Sequence, residues 1–302
     1  MKKNGFATKK RADLIFCLLL LAIPMIQFAI FYIGVNINSF VMVFQKYDIV
    51  DMETMKGAFV SNGFNNFSAM VQQMSTDRFG TAVENSLMSF IFITLVGITL
   101  SLIFSLYIYK KLPGAGVFRV LLFAPSILSA VVMVTMFKYF AEFAIPELFD
   151  LESGLLGNAE TKLGTIIFYN VWIGFGTQVL MYSGAMSGID NSVMEAARLD
   201  GASPVREFFS IILPLIFPTV QTFLVAGVAT LFTNQINLVA FDGLWAKPQN
   251  MTIGYYLFSK AEAATNYELP VLATFGVCLT LIAAPLTLAT RWALDKFGPS
   301  VN

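Results

Sequence analysis

Six stretches of this chain each hold about 20 consecutive, mostly apolar residues, the length a helix needs to cross the hydrocarbon core of a bilayer. They cover residues 14–35, 86–109, 117–140, 163–187, 215–239 and 269–294. Inside lipid every backbone N–H and C=O must find its partner within the protein, so such stretches can only be helices. The expected fold is therefore all-α, a polytopic membrane protein with six transmembrane helices. Composition agrees: 57% of the residues are apolar, only 13% are charged, and the mean hydropathy is +0.71. A soluble domain carries nearer 25% charge. Thirty Phe and ten Tyr suit a surface that lipid, rather than water, wets.

Composition also excludes functions. The chain has no histidine, which rules out His-based triads, His general bases and His-ligated metals. Cys17 and Cys278 both lie in apolar runs, so neither a disulfide framework nor a metal cluster is expected. No glycine-rich loop ends in Gly-Lys-Ser/Thr, and ATP binding of that kind is not expected here. A formal net charge of zero gives no sign of a nucleic-acid partner. No catalytic residue, metal ligand or cofactor is assigned to the chain.

Lys and Arg concentrate on the cytoplasmic side of membrane proteins. On one side of the six spans lie Lys2, Lys3, Lys9, Lys10, Arg11, Lys110, Lys111, Arg119, Arg198, Arg206, Arg291 and Lys296, twelve in all; the other side has seven. Both termini are therefore expected in the cytoplasm, with outer loops near 44–83, 141–162 and 240–268. The first apolar run is too long for a signal core and lacks a small-x-small cleavage site, so it reads as an uncleaved span.

The most informative segment is cytoplasmic, between the fourth and fifth spans. Ser192 and Glu195 have the Ser-x-x-Glu spacing of a capping box, which starts a helix there. Gly201 is suited to close it in the left-handed conformation. Ser203 then caps a second short helix with Pro204 at its first position, running through Phe208, Phe209 and Ile211 to Pro214, where the next span starts. Helices of about eight residues are not stable alone in water. They need a surface to pack on, and the residues alone leave the membrane interface and another protein equally open.

Glu195-Ala196-Ala197, Gly201, and Ile211 with Leu213-Pro214 at their fixed spacings resemble the EAA signature of ABC importer membrane subunits. Gly63-Phe-Asn-Asn-Phe67, Asn85-Ser86, Phe118-Arg119 with Ala124-Pro125, Trp172, and Asp200-Gly-Ala-Ser203 are similar to the carbohydrate branch of that family, in the style of maltose-type and glycerol-phosphate-type subunits. The basic tail and Tyr47-Asp48 resemble the first of the two paired permeases. Two places depart from the pattern: Ile189-Asp190 stands where the family has Ile-Pro, and Leu244-Trp-Ala-Lys-Pro248 where it has Gly-Gly-Pro.

The resemblance implies a type I ABC importer permease, a prokaryotic plasma-membrane subunit that forms half of a translocation pathway for a sugar or oligosaccharide. It implies residues 1–302 as one permease domain: a tail and first span over 1–43, then a five-helix core over 84–294 containing a coupling segment at 190–214. The implied partners are a second homologous permease, two cytoplasmic ATPase subunits that bind ATP and Mg, and an extracytoplasmic solute-binding protein. Ser192, Glu195, Ala196, Ala197, Asp200, Gly201, Leu213 and Pro214 would form the ATPase-docking segment. Glu195 either meets a basic group on the ATPase or closes its own capping box.

The pathway should show as polar groups in or beside spans. Asn170, Trp172 and Gln178 in span four, with Thr233, Asn234 and Asn237 ending span five, suit a sugar, which binds to flat aromatic faces and amides. Amides also bridge neighbouring helices, and Trp also anchors at interfaces. Lys138 and Glu142 read as a solvated pair at the outer end of span three. An importer of the same type for a non-sugar solute is the main alternative. An ion-coupled carrier would need mid-span charges and repeated halves, and the sequence displays neither.

Overall fold

The computed structural model describes residues 3–51 and 56–299. In chain order the elements are α1 (Asp13–Met42), β1 (Gln45–Asp51), β2 (Lys56–Ser61), α2 (Asn65–Met74), α3 (Arg78–Tyr109), α4 (Ala115–Ile127), α5 (Ala130–Phe149), α6 (Ala159–Ser187), α7 (Asn191–Leu199), α8 (Pro204–Ala229), α9 (Leu238–Asp242), α10 (Ile253–Glu262) and α11 (Leu269–Phe297). Helices α1, α3, α6, α8 and α11 are each long and apolar enough to cross a membrane. The expected third span is different. It consists of α4 and α5, bent by 107° at their junction. Pro125 sits in the last turn of α4, and Leu128 and Ser129 are extended, with ψ of 155° and 134°. The extended backbone at these two residues ends the helical ladder, so the apolar run continues in sequence while the helix does not.

The chain divides into two compact units. The first holds residues up to Gln73 and Ala263–Cys278. Here the expected outer loop folds instead into an antiparallel hairpin, with Tyr47 opposite Phe59 and Gln45 opposite Ser61, followed by α2. Asn66, buried on α2, donates to the carbonyls of Val43 and Gln45 and so pins the helix to the base of the hairpin. The Tyr47 ring lies across Gly57, where any Cβ would overlap it, and meets Phe59 and Tyr267 edge-on.

The second unit, Met74–Glu262 with the chain from Leu279, is organised around α6, the most buried of the five spans at 39% of its apolar window. Lipid gives helices no hydrophobic reason to associate, so close backbone approach and hydrogen bonds hold them together. Ser101 on α3 donates to Gln178 Oε1 at 2.9 Å, and Ser105 donates to the Val179 carbonyl at 3.1 Å. On another face of α6, a Cβ at Gly176 would stand 2.2 Å from the Leu122 carbonyl oxygen of α4.

Two further expectations are corrected. Helix α7 starts at Asn191, capped by Asp190, whose carboxylate accepts from the Ser192 N–H at 2.9 Å. Ser192 is therefore inside the helix, and Glu195 closes no capping box. Its acceptor role holds the Asp190 carboxyl below the ordinary value of 3.8: the Ser192 backbone N–H is the main cause, the Ser192 hydroxyl the second. The second short helix does not end at Pro214. Ser203 caps it as expected, its Oγ accepting from the Arg206 N–H. The helix then continues into the span through a π turn at Phe208–Ile212. That turn directly precedes Pro214, which has no N–H for the helical ladder; a π turn is one way a helix re-registers around such a break. The span ends at Ala229 rather than 239.

Two outcomes test this packing. Gly176→Val should drive α4 and α6 apart at a cost of about 1–3 kcal/mol for overpacking, lowering the thermal midpoint in detergent. Gly174→Ala, a position with nothing within 4 Å, should leave it unchanged; equal midpoints for the two would contradict the crossing. Asp190→Ala should speed amide exchange in the first turn of α7. Because folding depresses this carboxyl, the cap is at full strength above 3.8 and is lost as pH falls through the lower folded value. The gap between wild type and variant should therefore close in acid, and a gap that is constant with pH would contradict the cap.

Candidate coupling segment and translocation cleft

The candidate coupling segment packs on the C-terminal end of α6. Met194 of α7 is buried in a cluster with Tyr182 and Met186 of α6, Ile98 of α3, and Ile212 and Ile216 of α8. Ala197 is also buried on that inner face, and Leu213 and Phe208 pack at the edge of the cluster. Ser192, Glu195, Ala196 and Asp200 are exposed on the other face, and Leu199 is 88% exposed. The two short elements thus have an apolar floor supplied by the chain itself and a free outer face.

Gly201 closes α7 as expected. Its φ is +72°, and the Ala202 N–H reaches back to the Ala197 carbonyl at 3.0 Å, the six-to-one bond of a Schellman cap. Beside it, Lys110 at the end of α3 forms an ion pair with the buried Glu207 of α8. This pair fastens the first turn of α8 to α3. In the sequence Lys110 reads only as one of the cations of one side, and no role is singled out for Glu207.

At the other end of α6 lies an open cleft of about 720 Å³, lined by Thr230, Thr233, Asn234, Gln235 and Asn237 together with apolar side chains. The stretch that the sequence assigned to the end of span five is thus an irregular segment between α8 and α9. Ile236 and Asn237 both have positive φ, +46° and +58°. For a β-branched residue such as Ile236 this is strained, and surrounding contacts must hold it. Asn170 of α6 supplies them: its amide donates to the Ile236 carbonyl at 2.9 Å and to the Ile166 carbonyl at 2.8 Å, and its oxygen accepts from the Asn237 amide at 2.7 Å. Ile236 and Leu238 fill a second apolar cluster with Tyr169 and Ile166 of α6, and Phe137 of α5.

Other bonds brace the same segment. Thr252 donates to the Asn234 carbonyl, and a Cβ on Gly254 would meet the Thr233 carbonyl at 2.5 Å. Asn85 of α3 donates to the carbonyls of Gln249 and Met251, and Ser86 accepts from the Ile253 N–H. Lys138 donates to the Phe241 carbonyl, so it is a strut to α9 and not half of the expected pair with Glu142. Lys162 pairs with Asp242 at 2.8 Å.

The six expected pathway residues therefore separate. Thr233, Asn234 and Asn237 line the cleft, joined by Thr230 and Gln235. Asn170 stands behind them as a buried brace. Trp172 packs against Phe137 and Tyr169, and Gln178 accepts from Ser101, both away from the cleft. Thr230 was hidden by the apolar run around it, whereas Gln235 belongs to the polar run 233–237 that stands out in the sequence. No group of three or more metal-ligating side chains occurs among the described residues.

Known proteins share this architecture. A crystal structure of a bacterial alginate ABC transporter in complex with an alginate pentasaccharide-bound periplasmic protein contains a chain that matches 98% of this one and 99% of its own length, at a TM-score of 0.76 and 19% identity. Among curated sequences, the multiple sugar-binding transport system permease protein MsmF of Streptococcus mutans is 24% identical over 68% of this chain and 72% of its own. The sn-glycerol-3-phosphate transport system permease protein UgpA of Yersinia pseudotuberculosis is 24% identical, covering 78% and 82%. The maltose/maltodextrin permease protein MalF of Klebsiella aerogenes is 26% identical over 59% of this chain but only 36% of its own length. Permeases of this kind work with a paired permease, an ATPase and a solute-binding protein. Residues 97–302 match the family described as the binding-protein-dependent transport system inner membrane component, and the chain belongs to that family: it is a membrane-spanning importer subunit with the type I permease fold, not an enzyme.

Proposed function

We propose that this chain is one of two paired permeases in a prokaryotic sugar importer, with both termini in the cytoplasm. Ser192, Glu195, Ala196, Asp200 and Leu199 would meet a cytoplasmic ATPase, two copies of which bind ATP and Mg. The observation that carries this reading is the bracketing of α6: the coupling segment packs on Tyr182 and Met186 at one end, and the cleft segment is held by Tyr169 and Asn170 at the other. Asn170 and Met186 are 16 positions apart, or about 24 Å along a helix. A displacement of the outer face of α7 reaches the cleft through one continuous rod.

The cycle follows from two accessible states. ATP binding closes the ATPase dimer and draws the coupling segments of the two permeases together. Their α6 helices carry the cleft segments with them and open the pathway to the binding protein. Hydrolysis resets it. With Ser192 inside α7 and Asp190 as its cap, Glu195 is left free to meet a basic group on the ATPase. Ala197, Gly201, Leu213 and Pro214 hold the shape of the segment, and Ala196 keeps its outer surface low.

A neutral polyhydroxylated solute fits the cleft better than a charged one. Its lining offers amides and hydroxyls, and no charged side chain is among them. A phosphate ester or polyamine would call for an opposing charge. The names of MsmF and MalF point to a sugar, whereas that of UgpA points to a phosphate ester.

The test is the purified complex with its native partners in vesicles. Glu195→Lys should reverse the charge offered to the ATPase, and Gly201→Pro demands a φ near −65° where +72° is needed. Both should abolish solute-stimulated ATP hydrolysis while membrane insertion stays intact; undiminished stimulation in both would refute the coupling role. Asn170→Leu leaves the buried Ile236 carbonyl unpaired, at roughly 1–3 kcal/mol, and frees the part-buried Asn237 amide toward the cleft. Uptake should fall about tenfold or more while the ATPase still co-purifies, and normal uptake would remove Asn170 from the account.

A further inference from the structure

Beside the coupling segment is a second large cleft, of about 700 Å³, that the transport reading does not use. It lies between the turn joining α3 to α4 and the last turns of α6. Lys111 and Arg119 line it, together with the backbone of Pro113–Gly116 and the side chains of Ser183 and Ser187. Among the described residues, neither Lys111 nor Arg119 forms an ion pair or a side-chain hydrogen bond, unlike Lys110 next door, which is taken by Glu207. Lys111 has a φ of +51°, and Gly114 is left-handed at +78°, directly before the first turn of α4. Two unpaired cations and the start of a helix thus converge on one recess, and all three favour an anion.

What lies next to the recess selects the anion. Gly116 lines the cleft, and Val120 and Ile127 follow it on the same side of α4, four and eleven residues on; these two are 66% and 70% exposed. Arg119 is adjacent to this side. The recess therefore opens toward apolar side chains running up a membrane helix, exposed at Val120 and Ile127 with the partly buried Phe123 between them. A free anion has no use for that strip, and an acidic protein surface in water would leave it bare. A molecule with a phosphodiester at one end and acyl chains behind it covers both.

We propose that the cleft is a binding site for an anionic phospholipid, whose headgroup phosphate sits between Lys111 and Arg119 and whose acyl chain lies along Val120 and Ile127. Basic recesses between membrane helices bind such headgroups by the same electrostatics. The site shares Tyr109, Lys111 and Ser187 with the smaller recess that also contains Glu195 and Arg198. A bound headgroup would stand directly against the coupling segment and make its position sensitive to the lipid composition of that leaflet.

The experiment uses the intact importer complex in nanodiscs, with phosphatidylglycerol titrated into phosphatidylcholine and bound lipid counted by native mass spectrometry. Wild type should retain phosphatidylglycerol over phosphatidylcholine. Lys111→Gln combined with Arg119→Gln, both exposed positions, should weaken that retention about thirty-fold, as expected for losing two basic side chains at an anionic headgroup. Ile127→Asp, which leaves the cations in place, should weaken it as well. Equal retention in wild type and the double variant would overturn the proposal. So would displacement of the lipid by inorganic phosphate at millimolar concentration, which would make this a free-anion site. Loss of the ATPase from the double variant with lipid retention unchanged would assign the cations to that partner instead.

Discussion

A polar side chain inside a membrane protein must be satisfied by the protein itself, and Asn170 is where this constraint shapes the molecule most. Its amide and carbonyl are both used, on α6 itself, on Ile236 and on Asn237. An apolar residue there would leave the Ile236 carbonyl without its partner in a dry cluster and release a strained left-handed backbone. The same brace gives α6 its role. It turns an irregular segment, which would otherwise be mobile beside an open cleft, into a fixed extension of a central helix.

The opposite end of α6 is held by bulk rather than by hydrogen bonds. Tyr182, Met186, Met194, Ile212 and Ile216 interlock α7 and the start of α8 with the spans, and the ion pair of Lys110 with Glu207 guards the edge. This answers the sequence-level question of how two helices too short for water keep their shape. Their inner faces rest on their own chain, which leaves the outer face of α7 exposed. The arrangement suits a part that must transmit force without unfolding when the partner is absent or in another state.

Much of this was legible in the chain itself. The six apolar stretches locate the membrane helices because length against bilayer thickness is a strong constraint, and the spacing around Glu195 and Gly201 marked out the short helix α7 and the turn that closes it. Local geometry was harder. The Ser-x-x-Glu spacing pointed to Ser192, but the backbone path out of α6 starts the helix at Asn191 and makes Asp190 the cap. The helix of the fifth span already begins at Pro204, capped by Ser203, and its first turn is tied to α3 by the Lys110–Glu207 ion pair, a pairing across 97 positions that no local pattern reveals. The bend after Ile127 interrupts a run that is uniformly apolar. The amides of 233–237 stood out as polar groups near a span, but separating cleft-lining Asn234 from bracing Asn170 required the tertiary structure, because both read as amides in or beside an apolar run.

The account rests on α6 carrying the coupling segment and the cleft segment as one body. The direct measurement is a pulsed electron-spin distance between labels at Leu199 and Gln235, in a complex whose Cys17 and Cys278 have been replaced, with and without ATP. The account predicts that this distance within the chain stays constant across nucleotide states, while the distance from either label to the paired permease changes. A shift of several ångströms (roughly a full helical turn of 5.4 Å) between the two labels themselves would mean that α6 bends or slips, and would contradict the rod.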